Sequence, residues 1–549
     1  MATRFPGVLL ALALSTVSVA GAATQTSAGI GTEVQDWVEV GRRIYTEGLL
    51  PSGQTITATV AGDVKLSGAQ VICVTCHRRS GMGSTEGTEV VPAITGELLY
   101  SALRLPTSKP PLAPEIRPAY TDESLKLAIR AGIGATGNAL QPLMPRYPLS
   151  DAELDALIAY LKTLSTEPSP GVTGDELHFA TIVTDSAPPA ARKALVDVMS
   201  AFFEQKNKET RHETQRAETP PWHKQWVYSP YRKWVLHVWE LEGPGATWPA
   251  QLEALYREQP VFAVLSGVAG GSWQPIHGFC ERERIPCLFP TTDLPVIAEQ
   301  DFYSLYMSKG ITLEAQVVLK HLRDEGLAGG PIVQVYRQDD PRGTAATEVL
   351  RRAGLELRDV PVGVAGPDAA LWHDLLAQSP EAVLVLWLGQ ADLRALWSQL
   401  ASGRGPARAY LSTTLYAGDV AAVPESARQR VFFVHPYELP SKLPRLLARS
   451  SGWFKAKRIY APDALQIQAN AYFALKVAGG AAIGIRGYFF RDYFIERIEH
   501  MVDIVPYSSV YPHVSLAPGQ RFVAKGAYVA QVAGGEPAGL VPVTGWLTP

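Results

Sequence analysis

Cys73-Val74-Thr75-Cys76-His77 is a C-x-x-C-H pentapeptide, and its reading decides the fold of the first part of the chain. Two thiols at this spacing form thioether bonds to the two vinyl groups of one haem c, and the adjacent imidazole then reaches the iron. Two other chemistries use a C-x-x-C pair, a redox dithiol and half of a zinc site. Zinc needs a second ligand pair, and the remaining cysteines, Cys280 and Cys287, lie in a different sequence context. A thioredoxin-like dithiol sits in a βαβ unit, which the flanks of Cys73 do not show. One covalent haem, held by Cys73 and Cys76, is the expectation.

The surroundings support it independently. Ser150-Asp151-Ala152-Glu153 has the S-x-x-E form of a capping box and opens a helix whose apolar residues Leu154, Leu157, Ile158, Leu161 and Leu164 keep helical spacing. Met144 sits on a loop six residues before that helix and 67 after His77, which makes it the expected thioether ligand opposite the imidazole. Met82 is the rival, but five residues from His77 are too few to carry it to the opposite haem face.

On these motifs, residues 32–165 resemble a class I cytochrome c, an all-α domain. The resemblance implies His77 as proximal and Met144 as distal iron ligand. It also implies a crossing of first and last helices through Gly41 and Tyr45, facing Leu157 and Tyr160, and a proline carbonyl, here that of Pro92, accepting the proximal imidazole N–H. With both axial positions filled, electron transfer is expected rather than oxygen or substrate chemistry. Two stretches depart from the family pattern, Leu49 to Ala69 and the proline-rich Leu105 to Pro118, and neither is expected to touch the ligand positions.

Working outward, Arg4, the uncharged apolar run Val8 to Ala20 and the small residues Ala20-Gly21-Ala22 read as a cleaved export signal over residues 1–22. About 13 apolar residues fall short of the ~20 a spanning helix needs. The longest later apolar stretch, Ala469 to Ile485, is interrupted by Asn470 and Lys476, so no membrane span is expected and the mature chain is placed in the periplasm. With 50 Lys plus Arg against 53 Asp plus Glu, the net charge of -3 argues against nucleic acid as a partner. Four cysteines in 549 residues are too few for a disulfide scaffold.

Glu167-Pro168-Ser169-Pro170-Gly171 reads as a linker, set at residues 166–176. Beyond it, residues 177–549 alternate short β-branched runs with amphipathic stretches. His178 to Thr184, Trp234 to Leu241, Val261 to Leu265, Cys287 to Phe289, Ile332 to Tyr336, Ala382 to Leu388, Ala409 to Ser412 and Val431 to Val434 read as strands. Such alternation predicts parallel, doubly wound α/β sheets, and the length predicts two lobes. The rhythm, and the closing segment Tyr511-Pro512-His513 through Tyr528-Val529, resemble a type I periplasmic binding protein of the branched-chain amino acid receptor kind. The resemblance implies two α/β lobes closing on a ligand, with cleft residues Ser266, Gly267, Thr291 and Thr292 from the first lobe and Arg342 and Gln390 from the second. Ser266 and Thr292 read equally as helix caps. Where the family places an acid for an amino group, after Leu388, this chain has Gly389-Gln390, so an altered ligand or a docking role for the module is expected.

For Cys280 and Cys287 a disulfide and two buried thiols both stay open. Trp222, His223, Trp226 and Tyr228 form an aromatic insertion read as a solvated loop or lobe contact. No nucleophile motif, phosphate loop or dinucleotide fingerprint occurs, so an electron carrier rather than an enzyme is expected. Its expected partners are a periplasmic dehydrogenase or a respiratory-chain component and a small molecule. The competing expectations are a solute receptor of a transport or sensing system with an accessory haem, and an electron-transfer subunit of a quinoprotein dehydrogenase complex.

Overall fold

The computed structural model describes residues 27–86, 89–104, 116–210, 232–379, 381–402, 405–485, 487–502, 508–534 and 539–549. The export signal, the aromatic insertion at Trp222 to Tyr228 and most of the proline-rich loop after Leu105 lie outside them. The chain divides into two compact units, residues 1–165 and 166–549.

In the small unit the long helix Ser27–Glu47 crosses Asp151–Leu161, and the contact is made at backbone distance. A Cβ added to Gly41 would lie 2.0 Å from the Ala156 carbonyl oxygen and 2.8 Å from Tyr160 Cβ, so only glycine permits the crossing. Tyr45, one turn on, packs its ring 5.3 Å from that of Tyr160. The second helix starts as its sequence predicts: Ser150 accepts from the Glu153 amide, and the Glu153 carboxylate accepts from the Ser150 amide. Asp122–Ala131 opens on a Thr121/Ser124 capping box and closes on Gly132, whose φ of 70° is a left-handed C-cap. The helices gather Ile44, Tyr45, Leu125, Ile129, Tyr147, Leu154 and Leu157 into one core. Three short antiparallel ladders add to these helices, Thr57–Val60 with Val64–Ser67, Thr85–Glu86 with Glu89–Val90, and Leu103–Arg104 with Ile116–Arg117.

The large unit holds two sheets. The first runs Ser304–Leu305, Cys287–Leu288, Ala263–Val268, Glu176–Thr184, Lys233–Leu241, all parallel. The second runs Leu357–Val362, Ile332–Arg337, Val383–Trp387, Arg408–Ser412, Val431–His435 in parallel, then Tyr528–Val532 and Leu540–Pro542 antiparallel. In each lobe the first strand is flanked by the second on one side and the third on the other, the doubly wound order 2-1-3-4-5. Every strand expected from the β-branched runs is present. Of the closing segment, only Tyr528–Val532 forms a strand of the stretch quoted from Tyr511 onward.

After the second lobe's fifth strand the chain returns to the first. Helix Leu465–Gly484, apolar around most of its circumference, packs on Phe179, Phe262 and Phe289 of the first sheet. Among the described residues no helix is long and apolar enough to cross a membrane.

The proline-rich run after residue 166 is not free chain. Ser169 donates its amide to the Phe489 carbonyl (2.9 Å), Arg491 reaches the Pro170 carbonyl (3.2 Å), and Gly171, at φ 91°, lies so close to Phe262 that a Cβ would sit 2.2 Å from its nitrogen. Prolines fix φ and glycine supplies the left-handed turn, so the composition that reads as a spacer here builds a strap on the large unit.

Candidate functional site

Cys73 to His77 form a single helical turn, Cys73–His77, whose last residue is 6% exposed. His77 Nδ1 lies 3.1 Å from the Pro92 carbonyl oxygen, so Nδ1 carries the proton and Nε2 is left as the nitrogen for a metal. Burial pushes the imidazole pKa down to about 4, which keeps it neutral. Cys73 and Cys76 are half-buried thiols outside any disulfide. Two tyrosines brace the turn from outside the motif: Tyr45 donates to the Arg78 carbonyl (2.6 Å) and Tyr147 to the Val71 carbonyl (2.8 Å).

Met82 lies in a loop that closes straight back on the motif, since the Gly83 amide donates to the His77 carbonyl at 3.0 Å. That tether holds it beside His77. Met144 packs at the edge of the core to which Cys73 and Val74 also belong. Its loop is pinned by Arg146, whose backbone pairs with Thr59 through bonds of 2.8 and 2.9 Å and whose guanidinium bonds the Met144 and Leu140 carbonyls. The stretch from Leu49 to Ala69, expected to leave the ligand positions untouched, comes within two residues of Met144. Its first strand, Thr57–Val60, is the backbone partner of the methionine loop.

In the large unit a cavity of about 20 Å³ lies at the carboxyl ends of the fourth and fifth strands of both lobes. Thr291, Thr292 and Asp293 follow the first lobe's fourth strand, Thr414 the second lobe's fourth, Tyr437 the second lobe's fifth, and Asn470 comes from Leu465–Gly484. Glu314, on helix Ile311–Asp324, is 1% exposed, and neither of its carboxylate oxygens has a hydrogen-bond partner. The Ser412 hydroxyl and the hydroxyl and backbone amide of Thr414 lie near enough to temper its burial, yet none of them reaches it in hydrogen-bonding geometry. Burial, with Asp293 adding to it, pushes the carboxyl up to about 8.

Of the six cleft residues expected from sequence, Thr291 and Thr292 line this cavity and four do not. Ser266 is fully buried at φ 56° with its hydroxyl unpartnered. Gly267, at φ 146°, is closed in by the Trp273 ring. Gln390 lies against Gly418. Arg342 binds Asp340 (2.8 Å) and Asp293 (3.2 Å), so it reaches the cavity only through Asp293. Ser266 and Gly267 lie at the end of the first lobe's third strand and Gln390 just after the second lobe's, and strands are spaced about 4.8 Å apart. The cavity sits at the fourth and fifth, beyond their reach. Asp293, Glu314, Thr414, Tyr437, Asn470 and Tyr511 are among the lining residues that motif reading missed.

Cys280 and Cys287 are both buried and free, close enough for their thiols to interact, and burial holds the Cys280 thiol well above its ordinary pKa. His277, Glu281 and Asp301 offer metal-type ligand atoms in one place. Glu281, however, is already used by the amides of Phe302, Tyr303 and Ser304, which makes it a cap for that loop.

Residues 67–165 match the Cytochrome c family model. The small unit carries a cytochrome c domain. The match begins at the end of the Val64–Ser67 strand, so helix Ser27–Glu47, which packs on the last helix of the domain, precedes it. No curated protein matches the chain. Among solved structures, the large unit is similar in outline to a branched-chain amino acid ABC transporter protein from Thermus thermophilus with bound valine. The two share 15% identity over 68% of this chain and 97% of that one, with a TM-score of 0.49. A solute binding protein from Rhodopseudomonas palustris BisB5 in complex with 3,4-dihydroxybenzoic acid shares 12% identity over 68% and 98%, also at 0.49. A putative branched-chain amino acid ABC transporter protein from Rhodospirillum rubrum shares 13% over 67% and 100%, at 0.48. The two-lobed fold itself stands on the strand orders given above.

The cytochrome domain's donor set suits a covalent haem c: two thiols at thioether spacing and outside any disulfide, a neutral imidazole turned by a backbone carbonyl, and a thioether on a pinned loop. The Pro92 contact fixes the His77 ring so that Nε2 is the nitrogen left for a metal, and it counts because it occurs inside the C-x-x-C-H turn.

Proposed function

We propose that the protein is an exported, periplasmic c-type cytochrome that carries single electrons through one covalent haem, and that its two-lobed module binds a small molecule or docks a redox partner. The carrying observation is His77, buried in C-x-x-C-H with Nδ1 on the Pro92 carbonyl. When bound, the haem supplies an Fe(II)/Fe(III) couple. The chain's part is to hold it: Cys73 and Cys76 tether it, His77 presents Nε2, Pro92 fixes the ring, and Arg146 keeps the Met144 loop in place. With His77 and Met144 both engaged by the haem, the iron would have no position left for a substrate, and the protein would serve as a carrier rather than an enzyme, with a periplasmic dehydrogenase or respiratory-chain component as donor and acceptor. The unpartnered Glu314 favours a second reading alongside it, a solute receptor whose haem is accessory.

Expression with haem-attachment machinery tests the first reading. It predicts a haem c absorbance spectrum, and an absorbance spectrum without that band overturns it. Met144→Ala is expected to remove the methionine-to-iron charge-transfer band while the haem stays covalently attached. Persistence of the band moves the ligand role to Met82.

A further inference from the structure

Three acceptor atoms in the cavity lack a donor. They are both carboxylate oxygens of Glu314 and Oδ1 of Asn470, whose side chains are 1% and 2% exposed. They come from different helices, Ile311–Asp324 and Leu465–Gly484, yet line one cavity. A buried polar group without a partner is costly, and three together at one void point to a missing donor. The volume of about 20 Å³ exceeds the roughly 10–15 Å³ that one water needs, so the missing group is small.

Charge narrows the choice. Among the described residues no Lys, Arg or His lines the cavity, while Asp293 and Glu314 both do. The nearest guanidinium, that of Arg342, is spent on Asp340 and Asp293. The Thr291 amide, which could hold a carboxylate, is also committed. The Thr291 amide donates to the Gly267 carbonyl (2.9 Å), and the Thr292 hydroxyl accepts from the Leu294 amide (3.2 Å). An anionic ligand finds no free cationic side chain here, and it would face the Glu314 carboxyl and the Asp293 carboxylate.

We infer that the cavity takes the ammonium group of a small primary amine without a carboxylate, its three N–H donors meeting Glu314 and Asn470. An –NH₃⁺ group offers three donors and no acceptor, which is the complement of what the walls present. On binding, Glu314 would give up its proton to solvent and serve as the counter-ion, with Asn470 the third acceptor, Asn470 Nδ2 being directed to the Thr291 hydroxyl at 3.5 Å and so turning Oδ1 to the cavity. The inference rests on the small-molecule side of the function proposed above and names its ligand class.

The experiment uses the full-length, haem-loaded protein, with thermal unfolding followed against methylammonium, tetramethylammonium, potassium and acetate. Methylammonium is expected to raise the unfolding temperature in a saturable way, and the other three are not. Tetramethylammonium keeps the charge and removes the N–H donors, and potassium separates a simple cation site from an amine site. Glu314→Gln should weaken methylammonium binding about tenfold or more, the worth of a hydrogen bond to a charged group. Because that variant can fail to fold, Asn470→Ala gives a second reading, with a smaller loss expected. Equal stabilisation by potassium, tetramethylammonium or acetate overturns the inference, as does a flat response to methylammonium. Redox titration of the same sample reads the haem separately, so failure of the amine site and failure of the electron-carrier reading are distinguishable.

Discussion

His77 of the small unit and Glu314 of the large one are both ionisable side chains nearly withdrawn from water, and burial moves both towards the neutral form. Their surroundings differ. The imidazole has one nitrogen satisfied by a carbonyl fifteen residues along the chain, which turns the other nitrogen in a fixed direction. The carboxyl has neither oxygen satisfied. A half-satisfied donor pair is an oriented ligand whose neighbours have already absorbed the cost of holding it. An unsatisfied acid is a cost the fold carries until something arrives to relieve it. The first describes a permanently installed group, and the second describes an exchangeable one.

The largest effect is expected from the scaffold under His77. Gly41→Val would place a Cβ where the Ala156 carbonyl oxygen lies 2.0 Å away, and the helices would have to part. Overpacking of this kind costs typically 1–3 kcal/mol and more where the clash is with backbone, so loss of about 3 kcal/mol or of the folded small unit is expected. Chemical denaturation read at the haem band measures it. Because that glycine lies in the other unit, unfolding of the large unit should be unchanged. A change there breaks the comparison.

Glu314 supplies the next effect. Its carboxyl titrates at about 8 in the folded chain and near 4.5 unfolded. Below pH 4.5 it is neutral in both states and costs nothing extra. From there to about pH 8 only the unfolded chain ionises, so stability falls by up to about 1.4 kcal/mol per pH unit and then levels off. The groups that face it are the Asp293 carboxylate and the Ser412 and Thr414 hydroxyls, with the Tyr437 and Tyr511 phenols neutral throughout that window. Glu314→Gln is expected to remove this part of the slope and to be more stable than the wild type at the alkaline end, read from urea midpoints of the large unit at several pH values. Identical slopes would mean that Glu314 is satisfied after all and that the contrast with His77 fails.

The same contrast explains what was legible in the sequence. The His77 site lies within one pentapeptide, one carbonyl and one loop, and local spacing encodes all three. Ser150 and Glu153 announce their helix because a capping box is confined to four consecutive residues. The strands were legible because buried parallel strands are continuous β-branched runs. The cavity was not, since its walls come from segments near residues 291, 308, 314, 414, 437, 470 and 511, and nothing in any one of them reports the others. Gln390 was placed by the position the family uses, one strand away from where this chain leaves its space. The strap at Ser169 to Gly171 was misread for a related reason. Pro and Gly report backbone angles, and whether a turn is free or docked depends on Phe262, Phe489 and Arg491, far off in sequence.

The smallest effect sharpens the His77 half of the comparison. If an installed group is held by neighbours that carry the cost in advance, the methionine side should show such a neighbour too, and Arg146 is it. Its guanidinium bonds the Met144 and Leu140 carbonyls, and Gly132 makes room for it, since a Cβ there would come within 1.8 Å of Nε. Arg146→Ala leaves the backbone pairing with Thr59 and exposes carbonyls that water can reach, so a cost of only about 1 kcal/mol is expected. Covalent haem and the His77 contact should be unaffected. The methionine-to-iron charge-transfer band should survive at low temperature and fade on warming well before the unit unfolds, because the loop is then held from one side. A band as heat-resistant as that of the wild type would show that Thr59 alone fixes the loop, and the inserted hairpin rather than the arginine would be what keeps Met144 in place.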